Sequence, residues 1–180
     1  MSTKSAELLK YVDEDDKCYG LAGMAISLMV WDAEDRLHSI DADAASEVAM
    51  VMSPEFYLCM SQAQSPKSAW QSRLQRFQIE AAMLVGNVVC RQLAHRQMSS
   101  IGAEADRRMR KFLQEEADEL CQLEQDEVGN IYSKALSYCN RMFSHPVVCS
   151  VAKSLADTIA SRRQLTSSET FEILAPLAQL

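Results

Sequence analysis

Apolar residues cover most faces of the segment from Trp70 to Met98, which makes it the clearest helix in the sequence. Each residue of an α-helix turns the chain by about 100°, so the polar positions can be placed around its axis. Five of them fall close to one line: Arg73, Arg76, Glu80, Asn87 and Arg91. Leu84 interrupts that line, and the remaining positions from Phe77 to Leu93 are almost all apolar. A surface helix has an apolar stripe a little over 100° wide, and this arc is about twice as wide. The pattern predicts a central helix over about 66–98 that is buried on most sides.

Helix boundary signals mark both ends of this central segment. Ser65-Pro66 combines a capping serine with a proline at the first helical position, where the missing N–H group has no helical partner to lose. At the other end, Ser99, Ser100 and Gly102 are residues that favour a break.

Shorter apolar patterns predict helices in the N-terminal third of the chain. We expect a first helix over 3–12, a second from about Lys17 to Leu37 and a third over about 43–52. Ser53-Pro54 then restarts the helical chain, because it is again a cap followed by proline.

The C-terminal half also has helical periodicity. Residues 103–144 form either one long helix or two, with Gly129-Asn130 as the candidate break. Ser144-His145-Pro146 starts another helix that reaches Arg162, and Thr166 with Glu169 forms a capping box for a last short helix. The prediction is a single all-α domain over residues 1–180, a bundle of seven or eight helices around the central one.

Composition supports this fold class. The chain has 180 residues, 48% hydrophobic and 24% charged, which suits one globular domain with a sizeable core. Five glycines and four prolines are too few for an all-β protein with many tight turns.

The net charge of −7 argues against a nucleic-acid partner and against an anionic membrane surface. The uncharged run from Cys18 to Trp31 is shorter than the roughly 20 apolar residues of a membrane span, so we expect no membrane partner. The N-terminus lacks the pattern of a signal peptide, and no two of the six cysteines have zinc-site spacing. We interpret the cysteines as reduced thiols in a cytoplasmic protein.

Few residues offer catalytic or metal chemistry. The acidic run 13–16 lacks the ligand spacing of an EF-hand, and Asp35 with His38 lacks the further motifs of a di-iron bundle. The chain has no glycine-rich phosphate loop and no Gly-x-Ser-x-Gly elbow. The three histidines have no nucleophile in a recognisable setting. We therefore expect no cofactor and no metal, we favour a non-enzymatic protein with an enzyme as the third alternative, and no motif identifies a family.

The polar line of the central helix has two interpretations. Glu80, Asn87 and Arg91 could form a hydrogen-bonded site that opens into a small-molecule pocket, with Met83 and Leu84 as its walls. The other interpretation is a narrow solvated strip in which Arg76 and Glu80 form an i,i+4 pair.

The charge order over 103–127 also has two interpretations. The basic residues come first and the acidic residues follow, which opposes the helix dipole. An antiparallel copy of the same helix would place its acidic residues against the basic residues of the first copy, and the reverse, which would form a homodimer. The interface residues would be Arg107, Arg108, Lys111, Glu115 and Glu119. Pairs within the helix could equally satisfy these charges, namely Glu104–Arg108, Asp106–Arg110 and Lys111–Glu115.

The sequence therefore predicts a non-enzymatic helical module for protein interaction or assembly, acting on a partner protein or on a second copy of itself. The alternative is a helical bundle that binds a small molecule beside the central helix.

Overall fold

The computed structural model describes residues 10–46, 48–57 and 65–179. Seven α-helices lie in these ranges: α1 (Glu14–Val30), α2 (Pro54–Tyr57), α3 (Pro66–Val89), α4 (Ala103–Leu120), α5 (Gln125–Phe143), α6 (Pro146–Arg162) and α7 (Ser167–Leu174). Three short strands accompany them: β1 (Leu37–Asp41), β2 (Met50–Met52) and β3 (Gln164–Thr166). The molecule is a mostly helical bundle with one small sheet, so the predicted all-α class is confirmed.

The helices pack around α3, which contacts α1, α4 and α5, while α1 also packs against α6. The sheet has the order β2-β1-β3 with both pairs antiparallel. None of the helices in the described part of the chain combines the length and the apolar character that a membrane crossing requires.

The central helix is present as predicted. Ser65 caps α3 in a reciprocal capping box with Ser68, and Pro66 occupies the first turn. Its second half, from Ala81 to Val89, is buried throughout. The chain then continues as a π-helical turn over Cys90–His95 before the helix ends.

Two glycines allow α1 and α3 to cross in close contact. A Cβ atom on Gly23 would overlap the backbone of Gly86, and one on Gly86 would overlap the Oγ of Ser27 and lie 2.7 Å from the carbonyl oxygen of Gly23. The hydroxyl of Ser27 donates to that same carbonyl at 2.9 Å. The crossing therefore requires a residue without a side chain on each helix.

The predicted helices over 17–37 and 43–52 are wrong in their extents. The first ends at Val30, because Asp32 turns the chain with a φ of 48°. Leu37 and Ile40 then face the core from β1. In β2, Met50 and Met52 are buried and Val51 between them is partly exposed, the alternation of a strand. Both strands are too short for the spacing of their hydrophobic residues to distinguish a strand from a helix in the sequence alone.

The break in the region 103–144 lies earlier than Gly129-Asn130. Cys121 ends α4, Gln122 has a φ of 54°, and the N–H groups of both residues donate to the carbonyl of Ala117. A capping box between Glu124 and Glu127 then starts α5. Gly129 lies inside α5, so the region forms two helices divided at 121–124.

The predictions at the two ends of the chain have different outcomes. The helix over 3–12 lies outside the described residues except for 10–12, which are not helical. At the other end, Pro146 begins α6, and the capping box between Thr166 and Glu169 begins α7 as expected.

We predict that Gly86→Ala lowers the free energy of unfolding by about 2 kcal/mol, because the new methyl group meets a backbone carbonyl that cannot rotate away. The matched control is Gly129→Ala, where the added Cβ meets nothing within 4 Å and improved helix propensity should raise stability by up to about 1 kcal/mol. Chemical denaturation of both variants measures the two changes. Equal effects at the two positions would contradict the close crossing.

Candidate functional site

A polar network with a buried centre and one exposed arginine lies beside the crossing of α1 and α3. We call it the Asp16 network, and its members are Tyr11, Asp16, Asn87, Arg91 and Arg96. Asp16 is 1% exposed, Asn87 is fully buried and Arg91 is 8% exposed. Ionised groups at this depth need partners to offset the loss of hydration.

Asp16 is the hub of the network. Its Oδ2 accepts from the Nη2 of Arg91 at 2.5 Å and from the backbone N–H of Val12 at 3.0 Å. Its Oδ1 accepts from the Nη2 of Arg96 at 3.0 Å. Burial by itself raises the pKa of Asp16, but the hydrogen bonds from Arg91 and Val12 and the two guanidinium charges outweigh it, so the pKa is lowered. Asp16 is therefore ionised at neutral pH.

Arg91 connects Asp16 to the other members. Its Nη1 donates to the Oδ1 of Asn87 at 3.3 Å, and its Nη2 also donates to the carbonyl of Lys10 at 3.0 Å. The guanidinium carbon lies 4.7 Å from the centroid of the Tyr11 ring, a cation–π contact. The Nδ2 of Asn87 donates to the Tyr11 hydroxyl at 3.0 Å. Burial raises the pKa of Tyr11, so its hydroxyl stays protonated.

The five residues of the predicted pocket are not brought into one site. Asn87 and Arg91 belong to the Asp16 network. Glu80 pairs with Arg76 at 3.0 Å, as the i,i+4 interpretation proposed, and lines a different cavity together with Met83. Leu84 is buried in the core. Advancing from Glu80 to Arg91, the polar line passes from the protein surface into the interior.

The cavity that contains Glu80 and Met83 is a groove of about 200 Å³ next to β2. We call it the β2 groove. Its lining combines β2, the turn before it, α2, and side chains from α1 and α3: Met24, Ser46, Val48, Met50, Val51, Met52, Phe56, Tyr57, Glu80 and Met83. The groove is therefore mainly apolar, with four methionines and two aromatic rings.

A second cavity, of about 330 Å³, lies where the end of α3 meets the start of α4. We call it the arginine cleft. It is lined by Val88, Arg91, Gln92, Arg96, Gly102, Glu104, Ala105 and Arg108. Two of its three arginines, Arg91 and Arg96, also hold Asp16, so the cleft and the Asp16 network share a wall.

The residues of the predicted dimer interface lie on α4. Arg107 and Arg108 both pair with Glu104, at 2.5 and 2.7 Å, and Lys111 lies 4.0 Å from Glu115. Asp106 pairs with Arg110 at 2.9 Å. Glu119 lines a cavity between α3 and α4. The pairs within the helix are thus formed, and an interface with a second copy stays a prediction.

The cysteines of the described residues are free thiols at positions 18, 90, 121, 139 and 149. Burial raises the pKa of Cys18 to about 11 and that of Cys139 to about 12. Thiols with such pKa values are poor nucleophiles at neutral pH. Across the described ranges, no three Cys, His, Asp or Glu residues are grouped so that they could hold a metal ion.

Sequence reasoning missed Asp16, which it considered only as part of the acidic run 13–16. Asp13 does cap α1, accepting from the N–H of Asp16 at 2.8 Å. The available signal was its position on α1, because Asp16 lies two turns before Gly23, where α1 meets α3. Its pairing with Arg91, 75 residues away, depends on the packing of the two helices.

No protein-family model matches this chain, and neither the curated proteins nor the solved structures with which it was compared include a match. The geometry of the grooves and of the network is therefore the basis for a functional proposal.

We predict that Asp16→Asn lowers the free energy of unfolding at pH 7 by about 3 kcal/mol, because it leaves the buried guanidinium of Arg91 without its counter-ion. The folded-state pKa of Asp16 is lowered, so its stabilisation is present above the unfolded pKa, about 3.9, and is lost as the pH falls through the folded value. The difference in the free energy of unfolding between the wild type and Asp16→Asn should therefore become smaller at acidic pH.

The matched control for this experiment is Asp15→Asn, an exposed carboxylate in the same helical turn, which should cost less than about 1 kcal/mol. Urea denaturation at several pH values measures all three proteins. A cost for Asp16→Asn no larger than the control's would show that the ion pair does not stabilise the fold.

Proposed function

We propose that this protein is a non-enzymatic interaction module that binds an extended, apolar segment of a partner protein in the β2 groove. The observation that carries the proposal is the clustering of exposed apolar side chains at this groove. Of the seven large hydrophobic residues that are most exposed in the described part of the chain, three line it: Val48, Val51 and Tyr57. Exposed apolar side chains that cluster in one patch indicate an interaction surface, whereas single exposed apolar side chains are common on any protein.

The edge of the sheet supports an extended partner. β2 pairs with β1 on one side only, and within the described residues it is the end strand of the sheet. Its outer backbone groups can accept another strand, which is the geometry of β-strand addition. Alternate side chains of the added strand would face the groove.

The chemistry of the lining supports an apolar segment with basic flanks. Methionine side chains are flexible and polarisable, and they adapt to different apolar side chains. The groove's carboxylate, Glu80, is paired with Arg76. Beyond the groove, a protein with a net charge of −7 attracts a basic partner and repels an acidic one. We place this function in the cytoplasm, where free thiols such as those of the described cysteines are stable.

We predict that Val51→Lys weakens binding of such a segment at least about tenfold, because the new charge must be desolvated at the edge of the groove. The probe is a displayed library of peptides of about eight residues with alternating apolar positions and a lysine at each end. Fluorescence anisotropy with the selected peptides measures affinity, and slower amide hydrogen exchange in β2 reports strand addition.

The matched control is Val147→Lys, since Val147 is 41% exposed and Val51 is 37% exposed, but Val147 lies at the start of α6. It should leave peptide affinity unchanged. The proposal is wrong if no library member binds the wild type, if Val51→Lys binds as the wild type does, or if Val51→Lys only converts a homodimer to a monomer.

A second candidate function is self-association through α4, as the charge order of this helix suggests. Basic Arg107, Arg108 and Lys111 precede acidic Glu115 and Glu119, and the three basic side chains are largely exposed. An antiparallel copy would place each block against its opposite.

For this interface we predict that reversing Arg107, Arg108 and Lys111 to glutamate turns a dimer into a monomer, because like charges would then face each other across the twofold axis. Analytical ultracentrifugation of wild type and variant measures the mass. A monomeric wild type, or a dimer that persists in the variant, would remove α4 as an interface.

A further inference from the structure

We propose that the arginine cleft binds a phosphate group, either free phosphate or the phosphomonoester of a small soluble molecule. The proposal is independent of the interaction function, because the cleft lies at the junction of α3 and α4 and shares no lining residue with the β2 groove. It rests on the charges around the cleft, the backbone at the start of α4, and the buried position of Arg91.

The charges around the cleft favour an anion. Arg91 and Arg96 share the single carboxylate of Asp16, and Arg108 pairs with Glu104, which also holds Arg107 outside the cleft. The three guanidinium groups that line the cleft therefore face two carboxylates, which leaves one positive charge in excess. This excess occurs in a chain whose net charge is −7. A phosphate group would neutralise it, and guanidinium forks match phosphate oxygens.

The start of α4 provides backbone donors at the same place. Gly102 is the N-cap residue and supplies no side-chain oxygen, while its own N–H donates to the Oε1 of Gln92 at 2.8 Å. The first backbone bond within the helix runs from the N–H of Asp106 to the carbonyl of Gly102 at 3.0 Å. The N–H groups of residues 103–105 precede that bond, and α4 has no side-chain cap. The N-terminus of this 18-residue helix thus favours an anion.

Arg91 is the second, independent indication of a ligand. It lines the cleft although it is only 8% exposed, and its enclosed Nε has no hydrogen-bond partner among the described residues. A positive charge this far from water acts strongly on a group that the cavity receives, because solvent screens it little. The Asp16 network holds this guanidinium in position before any ligand arrives.

The size and the remaining lining indicate a small ligand. A cavity of about 330 Å³ lies at the lower end of the range of small-molecule sites, about 300–1,000 Å³. Val88 and Ala105 give it an apolar side, where the body of a phosphomonoester can pack. Glu104 also lines the cleft, and its carboxylate is held by Arg107 and Arg108. The ligand must therefore meet Arg108 on the side that does not face Glu104.

The test uses the full chain and isothermal titration calorimetry with inorganic phosphate and with a small phosphomonoester, glycerol phosphate. Arg108→Gln should weaken phosphate binding about tenfold, because it removes a charge-assisted contact from a side chain that is 61% exposed and has no role in the core. Glu104→Gln should tighten binding, because it removes the negative charge from the lining.

Arg107→Gln is the matched control. Arg107 is next to Arg108 in the chain and pairs with the same carboxylate, Glu104, but it does not line the cleft. The substitution therefore removes an equal charge outside the proposed site. The variant's affinity for phosphate should stay within about threefold of the wild type, because only the long-range part of the charge is lost. Thermal melts of the variants without phosphate should be alike, which separates loss of binding from loss of folding.

Three results would overturn the proposal. The first is the absence of saturable phosphate binding by the wild type. The second is an equal loss of affinity in Arg107→Gln and Arg108→Gln, which would indicate attraction to the surface charge alone. The third is binding to phosphatidylcholine vesicles that carry a phosphoinositide without binding to either soluble phosphate, which would assign the arginines to a lipid headgroup.

Discussion

The close crossing of α1 and α3 at Gly23 and Gly86 is the contact on which the rest of the structure depends. It brings two helix backbones together at a distance that any other residue would prevent. The central helix can then be buried over its second half, with α4, α5 and α6 packed around the pair. The same contact carries Asp16, two turns before Gly23 on α1, to the level of Arg91 on α3. A substitution that moves the two helices apart at this crossing would therefore disturb both the core and the Asp16 network.

The Asp16 network links stability to the arginine cleft. A buried ion pair contributes little net stability compared with apolar packing of the same volume. Stability alone therefore does not explain a polar cluster at this position. Asp16 instead fixes the positions of Arg91 and Arg96, and both of these also line the cleft. The β2 groove lies elsewhere and is built from flexible methionines and an edge strand. The described part of the protein thus combines a charged cleft held by ion pairs with an apolar groove lined by methionines.

Local signals in the sequence predicted the elements that have strong periodicity or clear caps. Ser65-Pro66 begins α3, Pro146 begins α6, and Thr166 with Glu169 begins α7. The errors fell on short segments without a cap. Residues 37–41 and 50–52 became strands because they pair with one another, and β1 also pairs with β3. A strand partner ten or more residues away does not affect the local hydrophobic periodicity. The break at 121–124 depends on the left-handed backbone of Gln122, a residue type that gives no such signal.

The sequence by itself determined the helical class, the central helix and the polar line along it, because helical periodicity and capping act between residues a few positions apart. Only the tertiary structure decided what that polar line does. Glu80 pairs locally with Arg76, whereas Asn87 and Arg91 turn inward to Tyr11 and Asp16. The physical reason is that burial and ion pairing depend on which helices meet, and the meeting of α1 with α3 is decided by shape at two glycines far apart in the chain.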